Sequence, residues 1–353
     1  MMKKQVVVIC GGRSAEHEIS IQSAVSVLGS LDKRRYEICA VGIGKRGETI
    51  AGKDLYDLLS ADLPGVDFLP VDDWITYLRS LDPGRTMVFP VLHGPYGEDG
   101  TIQGLLELLD LPFVGAGVCG SAVGMNKVHC KSILRDHGLP VLPSVAVNCE
   151  EWRTDGGRIL ERIRSEIGFP LFVKPANMGS SIGVSRCDAL SELEGALETA
   201  FRYDDIILGE KGVDAREIEL SVLGGFNPEV SCPGEIVPGD RFYSYEAKYL
   251  DQSSRLIIPA VLPDATAETL RQTARRVFQV LQLEGMARVD FLVERESGRI
   301  WVNEANTIPG FTPISMYPKL WAASGIDYPR LLDELLRIAV ERHFRRKCLS
   351  VDR

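Results

Sequence analysis

The feature that most constrains the fold is an alternation of strand-like and helix-like segments over the first 125 residues. The apolar run QVVVIC is followed by a segment with Ile21, Ala24, Val25 and Leu28 at helical spacing. The strand-like runs YEICAVGI and TMVFPVLHG, the helical TIQGLLELL and the short apolar strand PFVG come next. Apolar strands that alternate with helices form parallel sheets covered on both faces. The pattern therefore predicts an α/β fold that begins with a parallel sheet.

The rest of the chain predicts further domains, because 353 residues exceed what one ordinary core accommodates. We place boundaries at 1–125, 126–217 and 218–353. The middle part reads as helix KVHCKSILRDHG, strand FPLFVKPA, a helix from Leu190 to Phe201 and strand IILGEKGV. The last part reads as strands ELSVLGG and GEIVP, helix TAETLRQTARRVFQVLQLEG, strands MARVDFLVE and RIWVNEAN, and a final helix LLDELLRIAVERHF. The whole is α+β.

Composition and charge indicate a soluble globular protein with small-molecule partners. The net charge of −9 argues against nucleic acid or an anionic membrane as a partner. The apolar run from Val6 to Cys10 is too short for a signal peptide, and no run approaches the length of a membrane span. The eight cysteines are scattered without a C-x-x-C pair, which predicts reduced thiols rather than a zinc site or disulfides. We therefore expect a cytoplasmic protein.

Three glycine-rich stretches resemble nucleotide-binding motifs without meeting their requirements. GETIAGKD (47–54) has Asp54 where a P-loop needs Ser or Thr, and GIGKRG (42–47) is followed by turn residues rather than a helix. GAGVCG (115–120) follows PFVG and opens into a helix, as a dinucleotide fingerprint should. It lies late in its domain, however, and no acidic residue ends a second strand about 20 residues on. A turn and a tight helix start are the preferred interpretation.

A fourth stretch, KPANMGSSIGVS (174–185), suits a phosphate-binding loop. A buried strand delivers Lys174, and Pro175 ends that strand before a segment of glycines and serines. Backbone N–H groups and hydroxyls in such a loop can surround phosphates, while the lysine supplies charge. An ordinary hairpin loop is the alternative.

The segment MARVDFLVERESGRIWVNEAN predicts a hairpin whose strands carry polar side chains on one face. With a turn centred on Ser297, Asp290 lies opposite Glu304 and Arg288 lies opposite Asn306. Two neighbouring carboxylates would repel each other, and a hard divalent cation would remove that cost. Oxygen ligands without histidine or thiolate suit Mg²⁺. A salt bridge to Arg288 is the alternative, although it would not require Asn306.

Six motifs together resemble those of the D-alanine–D-alanine ligase family of the ATP-grasp superfamily. In chain order they are GGRSAEHEIS (11–20), HGPYGEDGTIQG (93–104), KPANMGSSIGVS (174–185), YEAKYL (245–250), ARVDF (287–291) and NEANTIPGFTPISMYP (303–318). The resemblance extends from about residue 5 to about residue 340, in the order of the family. It implies an N-terminal α/β substrate-binding domain, a central ATP-grasp lid domain and a C-terminal ATP-grasp catalytic domain. It also implies ATP-dependent synthesis of D-alanyl-D-alanine for peptidoglycan precursors, and the D configuration rests on the resemblance alone.

The resemblance assigns the nucleotide and metal ligands. Asp290, Glu304 and Asn306 would hold two Mg²⁺ ions that bridge the β- and γ-phosphates, and Mn²⁺ could substitute. Lys127 and Lys174 would contact phosphates, Lys248 would neutralise the γ-phosphate, and Ser180 and Ser181 would lie in the phosphate loop. Glu210 and Lys211 would lie at the adenine, and Glu217 would bind the ribose.

The resemblance also assigns the amino-acid site. Glu16 would bind the ammonium of the first D-alanine, in a network with Ser180 and Tyr249, and His93 would lie beside this substrate. ATP would phosphorylate the first carboxylate, and the second amine would then attack the acyl phosphate. Arg288 and the backbone N–H of Gly310 would stabilise the oxyanion, while Ser315 and the Met316 N–H would bind the second carboxylate. The group that removes the amine proton stays open, and a homodimer is the expected assembly.

Two departures from the family pattern are minor. Asn126 stands where aspartate is common, and the segment near 45–85 is an elongated insert that makes the N-terminal domain the longer form.

Three alternatives remain at this point: another carboxylate–amine ligase, an NAD-dependent oxidoreductase that uses GAGVCG, and a non-catalytic amino-acid-binding protein. Release of phosphate from ATP only in the presence of D-alanine would separate all of them from the ligase.

Overall fold

The N-terminal part contains a sheet that is parallel except for one short strand. The computed structural model describes residues 3–237 and 255–350. The first elements are β1 (Lys4–Gly11), α1 (His17–Ser30), β2 (Tyr36–Ile43), β3 (Thr49–Ile50), α2 (Gly52–Leu59), β4 (Val66–Asp67), α3 (Trp74–Arg79), β5 (Thr86–Val91), α4 (Thr101–Leu108) and α5 (Val118–Met125). The order is β3-β2-β1-β5, with β4 also beside β2. Strands β1, β2, β4 and β5 are parallel, as predicted, whereas β3 is antiparallel because the turn after β2 returns the chain directly.

Both faces of this sheet are buried. Val6 and Val8 of β1 face one apolar cluster with Leu28 of α1, and Val7 and Ile9 face a second cluster. Alternate side chains of one strand thus enter separate cores, which explains why QVVVIC has no polar position after its first residue.

The segment PFVG forms only a single bridge rather than a strand. Phe113 pairs with Val88 in parallel. Two hydrogen bonds fix this pairing, from Val88 N to Pro112 O (2.8 Å) and from Val114 N to Val88 O (3.0 Å). The glycine turn that follows ends the pairing, so this strand prediction was too long.

The middle part contains an antiparallel sheet of order β6-β9-β7-β8. Its elements are α6 (Lys127–Asp136), β6 (Ser144–Asn148), α7 (Cys149–Thr154), α8 (Gly156–Glu166), β7 (Leu171–Pro175), β8 (Ser185–Cys187), α9 (Leu190–Ala200) and β9 (Ile206–Lys211). Apolar residues of α8 and α9, including Ile163, Leu193 and Leu197, cover one face. The 176–184 loop therefore connects two strands of a hairpin, β7 and β8.

The C-terminal part contains an antiparallel sheet of order β13-β12-β10-β14-β15, with β11 beside β10. Its elements are β10 (Ala215–Gly224), β11 (Glu229–Val230), β12 (Gly234–Val237), β13 (Arg255–Ile257), α10 (Asp264–Val280), β14 (Gly285–Glu294), β15 (Ile300–Asn306), α11 (Met316–Ala323) and α12 (Tyr328–Lys347). Cys130 and Leu134 of α6 pack into the core of this sheet. The domain boundaries at 125 and 217 stay predictions.

The predicted hairpin register holds at the polar positions because of a β-bulge. Arg288 pairs with Asn306 and Asp290 pairs with Glu304, but Phe291 pairs with Val302. Asn303 is therefore the extra residue on β15. The turn is not centred on Ser297, and this alone would shift the pairing by one residue. The extra residue on β15 cancels that shift and keeps Glu304 on the same face as Asp290.

The GAGVCG stretch forms a turn and a helix start, as preferred. Gly117 precedes α5. A Cβ on Gly120 would lie 2.6 Å from Gln282 O, and one on Gly124 would lie 2.6 Å from Thr307 Cγ2. These glycines permit close packing of α5 on the C-terminal part.

No helix within 3–237 and 255–350 is both long and apolar enough to cross a bilayer.

Candidate active site

The predicted site residues border a cleft between the middle and C-terminal sheets. Its volume is about 540 Å³. Its lining includes Lys127, Lys174, Ser180, Ser181, Glu210, Lys211, Glu217 and Glu304, which are eight of the residues assigned to nucleotide or metal. The structure therefore brings together side chains from the middle and C-terminal sheets, as the resemblance implied.

The acid at the end of the first strand contacts the glycine–serine loop. Glu16 precedes α1 without capping it through its side chain, and it is only 5% exposed. Its Oε1 accepts a hydrogen bond from Ser180 Oγ. Ser180 and Ser181 have left-handed φ values of 49° and 58°. A favourable position at a helix start does not account for a carboxylate that turns away from the helix and towards this loop.

A buried ionic triad lies at one wall of the cleft. Glu210, 1% exposed, accepts Lys131 Nζ at 2.5 Å and Lys174 Nζ at 2.6 Å. Burial would raise the pKa of Glu210, but the two ammonium groups lower it below its usual value. Burial alone would lower the pKa of Lys174, and Glu210 raises it instead. Both charges are thus retained beside the cleft.

Lys127 lies between the loop and the hairpin. Its Nζ donates to Met178 O at 2.6 Å and lies 3.9 Å from Glu304 Oε2. Burial lowers the pKa of Lys127, and Glu304 opposes that shift. A further negative group bound here would stabilise the charged form, which suits a phosphate-binding lysine.

The hairpin carries an ion pair as well as the predicted oxygen ligands. Arg288 donates from Nε and NH2 to the two oxygens of Asp290, both at 2.7 Å, and lies 3.1 Å from Glu219 Oε2. Asn306 Nδ2 donates to Asp290 Oδ2 at 2.9 Å. Burial would lower the pKa of Arg288, but these carboxylates raise it, so its charge is fixed. Asp290 thus has the salt bridge that the sequence left open, while Asn306 and Glu304 lie on the same face.

His93 is a buried neutral imidazole. Its Nδ1 lies 3.0 Å from Ile308 O and its Nε2 lies 3.1 Å from Ser23 Oγ. Burial lowers the pKa of His93 to about 4, with a smaller contribution from Arg288. A carbonyl only accepts, which assigns the proton to Nδ1 and makes Nε2 an acceptor for the Ser23 hydroxyl.

Glu98 is a buried acid that the sequence analysis did not single out, although it lies within HGPYGEDGTIQG. Its Oε2 accepts Gly94 N at 2.7 Å and its Oε1 accepts Ile308 N at 3.1 Å. Burial, with a contribution from Glu16, raises the pKa of Glu98 to about 8. The available signal was an acid in a glycine-rich turn after a buried strand, where α/β sheets place functional side chains.

Further partners were missed because their contacts cross between elements. Lys131 lies on the apolar side of α6 beside Cys130, and a lysine at such a position signals a buried counter-ion. Glu219 lies two positions after the predicted Glu217 on β10, and this alternate spacing, which places both carboxylates on one face of the strand, was its signal.

The last predicted group lies at the start of α11. Ser315 is the N-cap residue, and its Oγ accepts Thr312 N at 3.0 Å. A Cβ on Gly310 would lie 2.6 Å from Ser315 Oγ, so this approach requires glycine. Met316 is buried and packs with Ile236 and Leu320.

Two predicted residues cannot be placed. Lys248 and Tyr249 lie outside the described residues. By contrast, Lys211 can be placed: it lines the cleft, and its Nζ donates to Phe169 O at 3.2 Å.

Family comparisons cover both halves of the chain. The family model described as D-ala D-ala ligase N-terminus matches residues 5–116, and the one described as D-ala D-ala ligase C-terminus matches residues 133–337. A D-alanine–D-alanine ligase from Thermoanaerobacter sp. (strain X514) is 49% identical, over 97% of this chain and 98% of that protein. One from Heliobacterium modesticaldum is 44% identical, over 97% and 96%.

Solved structures give the same result. The D-alanine–D-alanine ligase from Coxiella burnetii is 35% identical with a TM-score of 0.81, covering 98% of this chain and 97% of that one. The VanG D-Ala:D-Ser ligase from Enterococcus faecalis is 30% identical with a TM-score of 0.79, covering 96% and 100%.

Proposed function

This chain belongs to the D-alanine–D-alanine ligase family, and we propose that it uses ATP to join two D-alanine molecules into D-alanyl-D-alanine for cell-wall synthesis. The observation that carries this proposal is the hydrogen bond between Glu16 and Ser180. It joins an acid suited to a substrate ammonium to a loop suited to phosphates. ATP and the first amino acid can therefore meet at one place.

The cleft supplies the nucleotide site. Lys127, Lys174 and Lys248 bind phosphates, and the 176–184 loop, with Ser180 and Ser181, covers them. Glu210 and Lys211 lie at the adenine, and Glu217 binds the ribose. The buried triad supports these roles, because Glu210 keeps Lys174 charged at the cleft wall.

Asp290, Glu304 and Asn306 would hold Mg²⁺. Carboxylate and amide oxygens suit this ion, and the paired strands place all three on one face. When bound, Mg²⁺ would neutralise charge on the β- and γ-phosphates. Two ions are proposed, and Mn²⁺ would serve in their place.

Glu16 binds the ammonium of the first D-alanine beside His93, and Tyr249 joins the Glu16–Ser180 network. The γ-phosphate passes to the carboxylate of this substrate, giving an acyl phosphate and ADP. The amine of the second D-alanine then attacks the carbonyl carbon, and phosphate leaves. Arg288 and the Gly310 N–H stabilise the negative oxygen of the tetrahedral intermediate.

The second carboxylate binds at Ser315 and the Met316 N–H. These groups lie at the start of an α-helix, whose free N–H groups and dipole favour an anion.

We further propose three domains divided at 125 and 217, a homodimer, and a cytoplasmic location, where ATP is available and the eight free cysteines stay reduced.

The test is phosphate release by the purified full chain with ATP and Mg²⁺. We expect release with D-alanine and none with L-alanine, together with D-alanyl-D-alanine identified by mass. D-Serine and D-lactate, offered with D-alanine, test the second position. Release without any amino acid, or a mixed product in excess over D-alanyl-D-alanine, would contradict the proposal.

A further inference from the structure

The backbone segment 308–311 is held at both ends by side chains of the N-terminal part. At its start, Ile308 N donates to Glu98 Oε1 at 3.1 Å, and Ile308 O lies 3.0 Å from His93 Nδ1. Both polar groups of Ile308 are therefore bound by side chains that follow β5. Since Glu98 also accepts Gly94 N at 2.7 Å, its carboxyl joins two loops.

At the other end, Phe311 N donates to Ser23 Oγ at 3.3 Å, and this hydroxyl lies 3.1 Å from His93 Nε2. The donors and acceptors form one consistent chain. Phe311 N–H donates to Ser23, the Ser23 hydroxyl donates to His93 Nε2, and Nδ1–H donates to Ile308 O. The chain closes a ring around residues 308–311, which include Gly310.

We propose that Ser23, His93 and Glu98 are positioning residues that direct the Gly310 N–H at the reacting carbonyl. This inference rests on the proposed function, in which that N–H stabilises the oxyanion. A donor contributes only when it already points to the place where the charge develops. The hydrogen bonds on each side of Gly310 restrict the backbone of this segment and therefore the direction of its N–H.

The ring belongs to a buried environment that excludes competing water. Ser23, His93, Glu98 and Phe311 are all buried. Removing the Glu98 carboxylate or the Ser23 hydroxyl would take the acceptor away from the N–H of Ile308 or Phe311, and the segment would shift to find another. A displacement of about 1 Å in a catalytic group costs up to about 100-fold in rate.

The test compares Ser23→Ala with Ser30→Ala, a substitution on the same helix away from the ring. We expect Ser23→Ala to lower kcat about 10-fold or more, with the KM for ATP changed less than about twofold. Ser30→Ala should match the wild type. Glu98→Gln is the second variant, since its amide can accept from only one of the two N–H groups.

Affinity for a phosphinate dipeptide mimic gives a readout that does not depend on turnover. Its tetrahedral oxygen should occupy the oxyanion position, so Ser23→Ala should weaken this inhibitor while ATP binds unchanged. Equal inhibitor affinity and kcat in the wild type and Ser23→Ala would overturn the positioning role. A wild-type chain that binds the inhibitor but releases no phosphate with D-alanine would instead contradict the proposed function.

Discussion

At the residue scale, Glu98 illustrates how burial and a neighbouring acid act together. Its carboxyl accepts two backbone N–H groups, which favour the ionised form. Burial and the nearby Glu16 oppose ionisation more strongly, and the pKa of Glu98 rises to about 8. Arg288 is a cation that counteracts this shift, and His93, the other titratable side chain bound to Ile308, is neutral above about pH 4. Of the two side chains that bind Ile308, Glu98 is thus the one that titrates near neutral pH.

The pKa of Glu98 predicts a pH-dependent stability difference. Because the folded chain binds this proton more tightly than the unfolded chain, the contribution is fully present below about pH 4.5 and is lost as the pH rises to about 8. Glu98→Gln carries no such proton. We expect its Tm to rise relative to the wild-type Tm between pH 5 and pH 8, measured by thermal melts in matched buffers. A constant difference would show that Glu98 is ionised throughout this range.

The ionic triad predicts a large loss of stability in Glu210→Gln. The substitution leaves Lys131 and Lys174 as two buried ammonium groups without their carboxylate. Breaking a buried pair in this way costs about 3–5 kcal/mol. Urea unfolding measures the free-energy difference, with Glu198→Gln on the exposed side of α9 as the control. A loss no larger than in the control would mean that water reaches the two lysines.

Glu304 tests the metal assignment. We expect Glu304→Gln to fold normally and to lose most ligase activity at millimolar Mg²⁺, because one charged oxygen ligand is lost. Raising the Mg²⁺ concentration should restore part of the activity. Glu296→Gln, in the exposed turn of the same hairpin, is the matched control. Turnover of Glu304→Gln equal to that control would remove Glu304 from the metal site.

At the element scale, the 176–184 loop combines a strained backbone with anchors that come from side chains of other elements. Ser180 and Ser181 adopt left-handed φ values, which non-glycine residues rarely adopt. Asn177 N donates to Asp204 Oδ2 at 2.6 Å, Lys127 Nζ donates to Met178 O at 2.6 Å, and Ser180 Oγ donates to Glu16 Oε1. A loop held this way can open when its ligands leave.

This arrangement predicts protection of the loop by ligands. We expect proteolytic cleavage within 176–184 to slow markedly when Mg-ATP and the phosphinate mimic are both bound. Ser180→Ala, which lacks the contact with Glu16, should be cleaved faster than the wild type without ligands. Mass analysis of the fragments over time gives both rates. Identical rates with and without ligands would indicate a permanently closed hairpin loop.

At the scale of the whole molecule, Arg342 joins the last helix to the N-terminal part. Its guanidinium donates to Gly115 O and, at 3.0 Å, to Phe113 O, and it lies 4.0 Å from the centre of the Phe113 ring. Burial lowers the pKa of Arg342 to about 10, so the group stays charged at neutral pH. The two carbonyls have lost their water and depend on this side chain.

Arg342→Met should therefore lower the free energy of unfolding by about 1–3 kcal/mol, since it leaves buried acceptors unsatisfied. The kcat should change little, because Arg342 lies outside the cleft lining. Arg345→Met is the control: its guanidinium contacts Glu284 and the exposed ring of Phe226, and its side chain is 41% exposed, so its loss should cost at most about 1 kcal/mol. Equal losses in urea unfolding would contradict this difference.

Local patterns in the sequence were enough for the α/β class, most strands and helices, and the pairing of Asp290 with Glu304. Periodicity is a property of neighbouring residues, and the motifs carried the family resemblance. The sequence did not reveal the offset of the turn or the bulge at Asn303. Each shifts the strand pairing by one residue in opposite directions, so together they leave the pairing of the polar positions unchanged.

The sequence by itself determined which elements form and which family the motifs resemble, whereas tertiary structure alone decided which distant groups meet. Glu98 binds the N–H of a residue 210 positions away, and Lys131 Nζ donates at 2.8 Å to Asn303 O across 172 positions. No local pattern encodes such contacts. They exist because the packing of the three sheets buries polar groups together, and a buried polar group is stable only when it finds a partner.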